Sequence, residues 1–333
     1  MNEYVALLFI TFLSTIVSLV ILKIYLLLTV GKCYCNVYLN GKTALITGGN
    51  SGLGYETALA LAGRGCRVII ADQDDCEESK RNIIAQTGNS NVVTKKFDLT
   101  SLQSVRELAK DINNNEERLD FLINNAGVSG TGKVYTKDGL HKGMQINFFG
   151  HFLLTHLLIG LLKKSSPSKI IFISSMVAFF HNLSIENLNC PEDQMIIAFT
   201  DLKMYANSKL CLIIAANELS KKLRGTGVTA YSVHPGAVYT NIYFRYAKEL
   251  SYDNLLYKIL APVVIKFFTK SPKEGIQTAL HVVLCKDTIN NTGKFFSECW
   301  VHLPPAAAND PYFAKKIWEA SEKLVQLKSD EII

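Results

Sequence analysis

The chain has 333 residues, 48% of them hydrophobic and only 19% charged, with 35 Lys and Arg against 29 Asp and Glu for a formal net charge of +6. That length and composition provide for a sizeable core and exclude both intrinsic disorder and a disulfide-stapled miniprotein. The charge is mild and holds no long basic run, so a nucleic-acid partner is not expected.

The hydrophobic excess is concentrated at the start. Between Tyr4 and Val30 only Lys23 is charged. As a helix this segment spans ~40 Å, enough to cross a bilayer core. It has no polar face, which argues against a buried core helix. No basic residue precedes the apolar run and no cleavage site stands out, which argues against a signal peptide. Residues 1–32 are therefore expected to be an uncleaved membrane anchor in contact with the lipid bilayer. Glu3 precedes it and Lys32 and Lys42 follow, a bias that places the folded part in the cytosol. Lys23 is expected to snorkel toward that interface. Cys33 and Cys35 follow the anchor and are either ordinary thiols or a palmitoylation site. The other cysteines (Cys66, Cys76, Cys190, Cys211, Cys285 and Cys299) have no metal-ligand spacing and read as scattered reduced thiols. The triplets Asn182-Leu183-Ser184 and Asn290-Asn291-Thr292 are glycosylation sequons that matter only in a lumenal domain.

From Gly41 short β-rich runs alternate with helical patterns. Strands are expected at Thr43–Thr47, Arg67–Ala71, Val92–Phe97, Leu119–Ile123, Lys169–Ser174 and Val228–Val233. Helices are expected at Tyr55–Gly63, Ser101–Ile112, Gln145–Leu162 and Tyr205–Leu223. This alternation implies βαβ units and an α/β doubly wound, Rossmann-type parallel sheet buried on both faces. No linker interrupts it, so residues 40–327 are expected to form a single domain.

Thr47-Gly48-Gly49-Asn50-Ser51-Gly52-Leu53-Gly54 leaves the first strand and opens the first helix, the context in which glycines let backbone N–H groups approach a pyrophosphate. Asp72 ends the second strand, 18 residues beyond Gly54. An acid at that distance accepts hydrogen bonds from the adenosine ribose and repels a 2′-phosphate. Gln73 follows it, and Asn50 and Ser51 offer no cation. NAD is therefore favoured over NADP, the alternative for Asp72 being a plain loop carboxylate. Asp98 and Leu99 follow the third strand, where the carboxylate can reach an adenine. Asn124-Asn125-Ala126-Gly127 follows the fourth strand and suits backbone contact with a cofactor, although alone it could be a simple turn.

Tyr205 and Lys209 stand at i and i+4 of a helical pattern and so share one face. A free phenol has a pKa near ~10, and a nearby ammonium favours the phenolate. Alone, the pair reads as an ordinary surface Tyr and Lys. It does not stand alone. Ser174-Ser175 ends the fifth strand, Asn147 lies in the helix after Asn124–Gly127, and His234-Pro235-Gly236 ends the sixth strand, with Val238 and Thr240 just beyond.

In this order the motifs resemble the short-chain dehydrogenase/reductase family over nearly everything after the anchor. Gln145–Thr155 (QINFFGHFLLT) and Thr292–Ser297 (TGKFFS) are similar to the membrane-anchored retinol dehydrogenases of that family. The resemblance implies Tyr205 as general acid/base, Lys209 lowering its pKa and binding the nicotinamide ribose, Ser175 orienting the substrate oxygen, and Asn147 holding a water that links Lys209 to solvent. It places Thr47, Gly48, Asn50, Ser51, Gly52, Leu53, Gly54, Asp72, Asp98, Leu99, Asn125, Ala126 and Gly127 along the cofactor, with Pro235, Gly236, Val238 and Thr240 near its nicotinamide. It also implies an endoplasmic reticulum location and a possible homodimer. That branch commonly carries a basic residue after the second strand and uses NADP, whereas this chain reads Ala71-Asp72-Gln73.

Between Tyr239 and Ser271 the chain is aromatic and aliphatic: Tyr239, Tyr243, Phe244, Tyr246, Tyr252, Leu255, Leu256 and Tyr257, then VVIKFF. This is read as an apolar cover for a lipophilic small-molecule substrate, as helix packing on the core, or as a face on the bilayer with Lys248, Lys258, Lys266 and Lys270 at headgroups. The functions in view are an NAD-dependent dehydrogenase of lipophilic alcohols such as retinol, an NADP-dependent reductase of lipid aldehydes or sterols, and a non-catalytic membrane scaffold.

Overall fold

The short β-branched runs can be strands only if both faces are covered, and they are. The computed structural model describes residues 3–189, 197–239 and 265–333. In it β1 (Thr43–Thr47), β2 (Arg67–Asp72), β3 (Val92–Lys96), β4 (Phe121–Asn124), β5 (Ser168–Ile173), β6 (Val228–His234) and β7 (Phe295–Ser297) run parallel. The short β8 (Trp300–His302) closes the edge antiparallel, giving the order β3-β2-β1-β4-β5-β6-β7-β8. Strand order reverses between β1 and β4, which is where a doubly wound sheet opens a crevice at its carboxyl edge.

Helices α2 (Gly52–Ala62), α3 (Glu77–Thr87) and α9 (Gln277–Leu284) cover one face, packing Leu61, Ile83 and Leu280 against Ile46, Ile70 and Ile123. Helices α4 (Leu102–Asn115), α6 (Gly150–Lys164), α7 (Ile197–Lys222) and α10 (Pro311–Leu324) cover the other, packing Val105, Leu154, Leu212 and Trp318 against Leu45, Leu122 and Phe172. Ser101 starts α4 as the sequence pattern anticipates, its hydroxyl accepting the Ser104 N–H at 3.2 Å. The helix expected at Gln145–Leu162 is more elaborate. One turn, α5 (Lys142–Met144), leads into a π-helical turn at Gln145–Phe149 before α6 begins. This apolar stretch is long enough to cross a bilayer, but it lies mostly buried inside the protein and is a core element.

The N-terminal helix α1 (Glu3–Leu28) differs in kind. Its 26 residues are mostly apolar, with only Glu3 and Lys23 charged, and Leu7, Phe9, Phe12 and Ile21 are exposed. Lys23, expected to snorkel toward the domain-side interface, contacts the domain. Its Nζ donates to the Phe267 carbonyl at 2.5 Å and lies 5.3 Å from the Phe267 ring centroid.

After α1, residues 31–39 run extended. Cys33, Cys35, Val37 and Leu39 turn inward while Lys32, Tyr34, Asn36 and Tyr38 face out. The Gly31 N–H donates to Glu298 Oε2 at 2.7 Å, and the Cys33 N–H donates to Gln277 Oε1 at 3.0 Å. The reading of Cys66, Cys76, Cys211, Cys285 and Cys299 as scattered thiols is corrected at Cys285 alone, the other four being free. Cys35 is disulfide-bonded to Cys285, 250 residues away. The disulfide removes Cys35 from the thiols open to palmitoylation, while Cys33 stays a free, half-buried thiol. Cys190 lies outside the described residues.

Candidate active site

The glycine-rich loop leaves β1 and enters α2. Gly52 holds φ +56°, where a side chain is strained, and a Cβ on Gly54 would stand 2.0 Å from the Gly48 carbonyl oxygen. Ser51 precedes α2 without capping it through its side chain, so the first N–H groups of the helix remain available to an anion. A pyrophosphate fits here through those N–H groups, and the loop packs so closely, Gly54 against the Gly48 carbonyl, that it leaves no room for a Cβ. Leu53 is half-buried at the start of α2, beside Gly275 of α8 (Pro272–Gly275).

Asp72 ends β2 with its carboxylate facing this loop. Oδ2 accepts the Asn50 N–H and Oδ1 accepts the Asp74 N–H, both at 3.3 Å. Burial raises its pKa above the ordinary carboxylate value, and these N–H donors oppose the rise. The Asn50 side chain is tied to the turn after β2, donating to the Asp75 carbonyl at 3.0 Å. Asp98 is engaged locally, its carboxylate accepting the Thr100 N–H and Thr100 hydroxyl at 2.8 Å each. Leu99 is buried and supports the start of α6 at Gly150.

The turn after β4 is tied to β1 by a network the sequence does not display. Thr47 Oγ1 accepts the Asn125 N–H at 2.9 Å and the Ala126 N–H at 3.1 Å. Asn125 Nδ2 returns a bond to the Thr47 carbonyl at 2.9 Å. The Thr47 hydroxyl reaches His151 Nε2 at 2.8 Å, and His151 Nδ1 lies 3.2 Å from the Asn147 carbonyl oxygen. A carbonyl can only accept, so Nδ1 carries the proton and Nε2 accepts from Thr47. His151 is fully buried, and burial pushes its pKa down to about 3, so the ring is neutral. A buried histidine in an apolar helix gives no sequence signal of such a role.

Asn147 lies in the π-helical turn, a distortion often found at functional sites. Its Oδ1 accepts the Val128 N–H at 2.8 Å, and its Nδ2 donates to the Val128 carbonyl at 2.9 Å and to Ser208 Oγ at 3.1 Å. Gly127 is hemmed in by the same cluster: a Cβ there would lie 3.4 Å from Lys209 Nζ and 3.5 Å from Asn147 Oδ1.

On α7 the Lys209 Nζ lies 5.4 Å from the Tyr205 ring centroid and donates to the Ile173 carbonyl at 2.8 Å. Lys209 is buried, and desolvation lowers its pKa to about 8. Ser174 Oγ donates to the Lys209 carbonyl at 2.7 Å, locking α7 to the end of β5. Ser175 Oγ accepts the Val177 N–H at 3.1 Å and can still donate its own proton. The Met176 N–H donates to His234 Nδ1 at 3.3 Å, joining the ends of β5 and β6. Gly236 holds φ +86° against the Lys270 side chain, and Val238 is buried in a bridge with Lys270. Pro235 lies between these elements, and Thr240 lies outside the described residues.

A cleft of about 210 Å³ lies at this edge, lined by Thr29, Val30, Met176, His234, Gly236 and Lys270 among others. The end of α1 thus borders the same carboxyl edge as β6. Of the lysines considered for a membrane face, Lys270 is paired with Glu298. Lys248 and Lys258 lie outside the described residues, as do Tyr243, Phe244, Tyr246, Tyr252, Leu255, Leu256 and Tyr257.

A doubly wound sheet with a glycine-rich loop between β1 and α2 is the frame on which dinucleotide-binding proteins are built. Comparison with known proteins agrees. Residues 42–186 match the short chain dehydrogenase family description. The chain is 39% identical to "Retinol dehydrogenase 11" of Mus musculus over 325 residues, covering 96% of this chain and 97% of that protein. It is 37% identical to "Dehydrogenase/reductase SDR family member 13" of Bos taurus over 314 residues, covering 93% and 80%. The structure is similar to "Pseudomonas aeruginosa RhlG/NADP active-site complex", with a TM-score of 0.60, 25% identity, and 78% and 95% of the two chains covered. This chain belongs to the short-chain dehydrogenase/reductase family.

Proposed function

We propose that the chain is a membrane-anchored dehydrogenase that oxidises a lipophilic alcohol, such as retinol, with NAD. The observation that carries this reading is the packing of Tyr205, Lys209, Asn147 and the Ser174-Ser175 end of β5 at one edge of the sheet. Ser175 donates a hydrogen bond to the substrate oxygen and fixes its orientation. Tyr205, as phenolate, takes the hydroxyl proton. Lys209, held against the Ile173 carbonyl, supplies the positive charge that favours the phenolate and binds the nicotinamide ribose. Asn147 positions a water beyond Lys209 through which the proton leaves. A nicotinamide bound on the Gly236 side supplies the hydride acceptor.

Asp72 supports NAD over NADP. Its carboxylate stands beside the loop where a 2′-phosphate would lie, and Asn50, Ser51 and Gln73 offer no cation. Helix α1 supports a membrane-borne substrate. Its exposed apolar side chains extend over ~39 Å, and its end lines the cleft beside Gly236. A long apolar alcohol leaving the bilayer along α1 arrives at that edge. Lys32 on the domain side favours a cytosolic orientation at the endoplasmic reticulum.

The test is initial rates in membranes with all-trans-retinol plus NAD or NADP, and retinal plus NADH or NADPH, with Tyr205→Phe as blank. Turnover of retinol with NAD that disappears in the mutant is expected. Turnover with NADPH alone would overturn the cofactor assignment and make the enzyme a reductase. Silence with every retinoid would move the search to sterols and fatty alcohols. Turnover that persists in Tyr205→Phe would refute the assigned acid/base.

A further inference from the structure

Away from the active site, the extended segment after α1 meets the end of α9. Residues two apart on an extended chain share a face, as do residues four apart on a helix. Cys33 and Cys35 are the first kind of pair, His281 and Cys285 the second, and the two pairs meet. The four donor atoms lie within 4.8 Å of one another, with Cys33, Cys35 and His281 half-buried and Cys285 buried. Cys285 Sγ lies 3.2 Å from His281 Nδ1. Three sulfurs and one imidazole nitrogen, two donors from each of two elements, match in number and kind the Cys₃His donor set that closes structural zinc sites. Tetrahedral zinc with thiolates at ~2.3 Å sets its donors ~3.8 Å apart, within reach of the observed cluster after small side-chain rotations. Lys169, whose Nζ donates to the Cys285 carbonyl at 3.1 Å, supplies positive charge beside what would otherwise be a net anionic site.

We propose that Cys33, Cys35, His281 and Cys285 form a zinc site in the reduced protein, and that the Cys35–Cys285 disulfide is the oxidised, metal-free state of the same cluster. Reduction by a dithiol passes two electrons and two protons to the Cys35–Cys285 bond. The dithiol leaves as its own disulfide. The three thiols then shed their protons as the metal binds. In the reverse direction, a low-molecular-weight disulfide accepts the two electrons, a bond forms between the Cys35 and Cys285 sulfurs, and zinc departs. Either state pins residues 31–39 to α9 and so fixes where α1 meets the domain.

The experiment uses the full chain in detergent, reduced with a phosphine under argon, incubated with zinc and freed of excess. Metal analysis is expected to give close to one zinc per chain. Cobalt in its place is expected to show tetrahedral d–d bands and thiolate-to-cobalt charge transfer. Both should vanish in Cys35→Ser and His281→Ala but persist in Cys299→Ser. Should the variants not fold, wild-type protein gives the answer through alkylation mapped by mass spectrometry: zinc should protect Cys33, Cys35 and Cys285 from a thiol reagent. Substoichiometric zinc in the folded reduced protein, cobalt spectra unchanged by Cys35→Ser, or no protection of those thiols would overturn the proposal and leave the disulfide as the cluster's only chemistry.

Discussion

Lys209 shows how much a single side chain depends on where it is held. Burial lowers its pKa to about 8, yet it lies within 5.4 Å of the Tyr205 ring and donates to the Ile173 carbonyl. The cation that assists the phenol is thus itself costly to maintain in the dry site. Lys209→Met is expected to move the half-maximal pH of oxidation up toward the free-phenol value near ~10 and to cut the rate at neutral pH by ~10²–10⁴. A pH–rate profile checks this, and an unshifted profile would remove Lys209 from the acid/base chemistry. His151 is the second residue whose position decides its role. It bridges Thr47 and the Asn147 carbonyl. His151→Phe keeps most of the volume but removes the bond to the Thr47 hydroxyl and the side-chain bond to the Asn147 carbonyl. It is expected to lower stability by ~1–3 kcal/mol per unsatisfied group and to reduce kcat more than KM. Thermal unfolding and steady-state kinetics together test it; unchanged kinetics would make His151 merely structural.

Among the elements, α6 has the least freedom. It begins at Gly150, where a Cβ would stand 2.5 Å from Leu99 Cδ2 and 3.1 Å from the Gln145 carbonyl oxygen. The close approach of α6 to the loop after β3 keeps the π-helical turn in place and so aims Asn147 at Val128 and Ser208. Gly150→Ala is expected to cost ~1–3 kcal/mol through overpacking and to impair turnover by displacing Asn147. Adding Leu99→Ala opens the space and should restore part of both losses. A double-mutant cycle with no coupling between the two positions would show that the contact does not govern the turn.

At the scale of the whole molecule, buried histidines link stability to pH. Burial depresses His151 to about 3 and His156 and His234 to about 4, each from an ordinary value of 6.5. Between those folded values and pH 6.5 the unfolded chain binds more protons than the folded one, so stability is full above pH 6.5 and falls as the pH drops. Each histidine contributes up to ~1.4 kcal/mol per pH unit in that window, or ~4 kcal/mol per unit for the three together. Denaturant unfolding at pH 7 and pH 5 should show the fall, and His156→Phe should make it shallower. A flat response between these pH values would mean that the rings titrate in the fold as they do in the unfolded chain.

Much of the architecture is legible in the chain itself. Apolar runs such as Lys169-Ile170-Ile171-Phe172-Ile173 are too short and too β-branched for helices, and strands of that kind must be buried on both faces. The residues of the candidate site are legible for the same reason that they work: Thr47 to Gly54, Asn124 to Gly127, Ser175 and the Tyr205–Lys209 pair all stand where a strand ends or on one helix face, so their roles follow from local spacing. What local spacing cannot carry is contact between distant segments. The Thr47–His151–Asn147 bridge joins side chains 104 residues apart, and the Cys35–Cys285 pairing spans 250. The extended run after α1 and the end of α9 each look unremarkable alone. Folding the sheet brings them together, and only then do four isolated residues become one cluster.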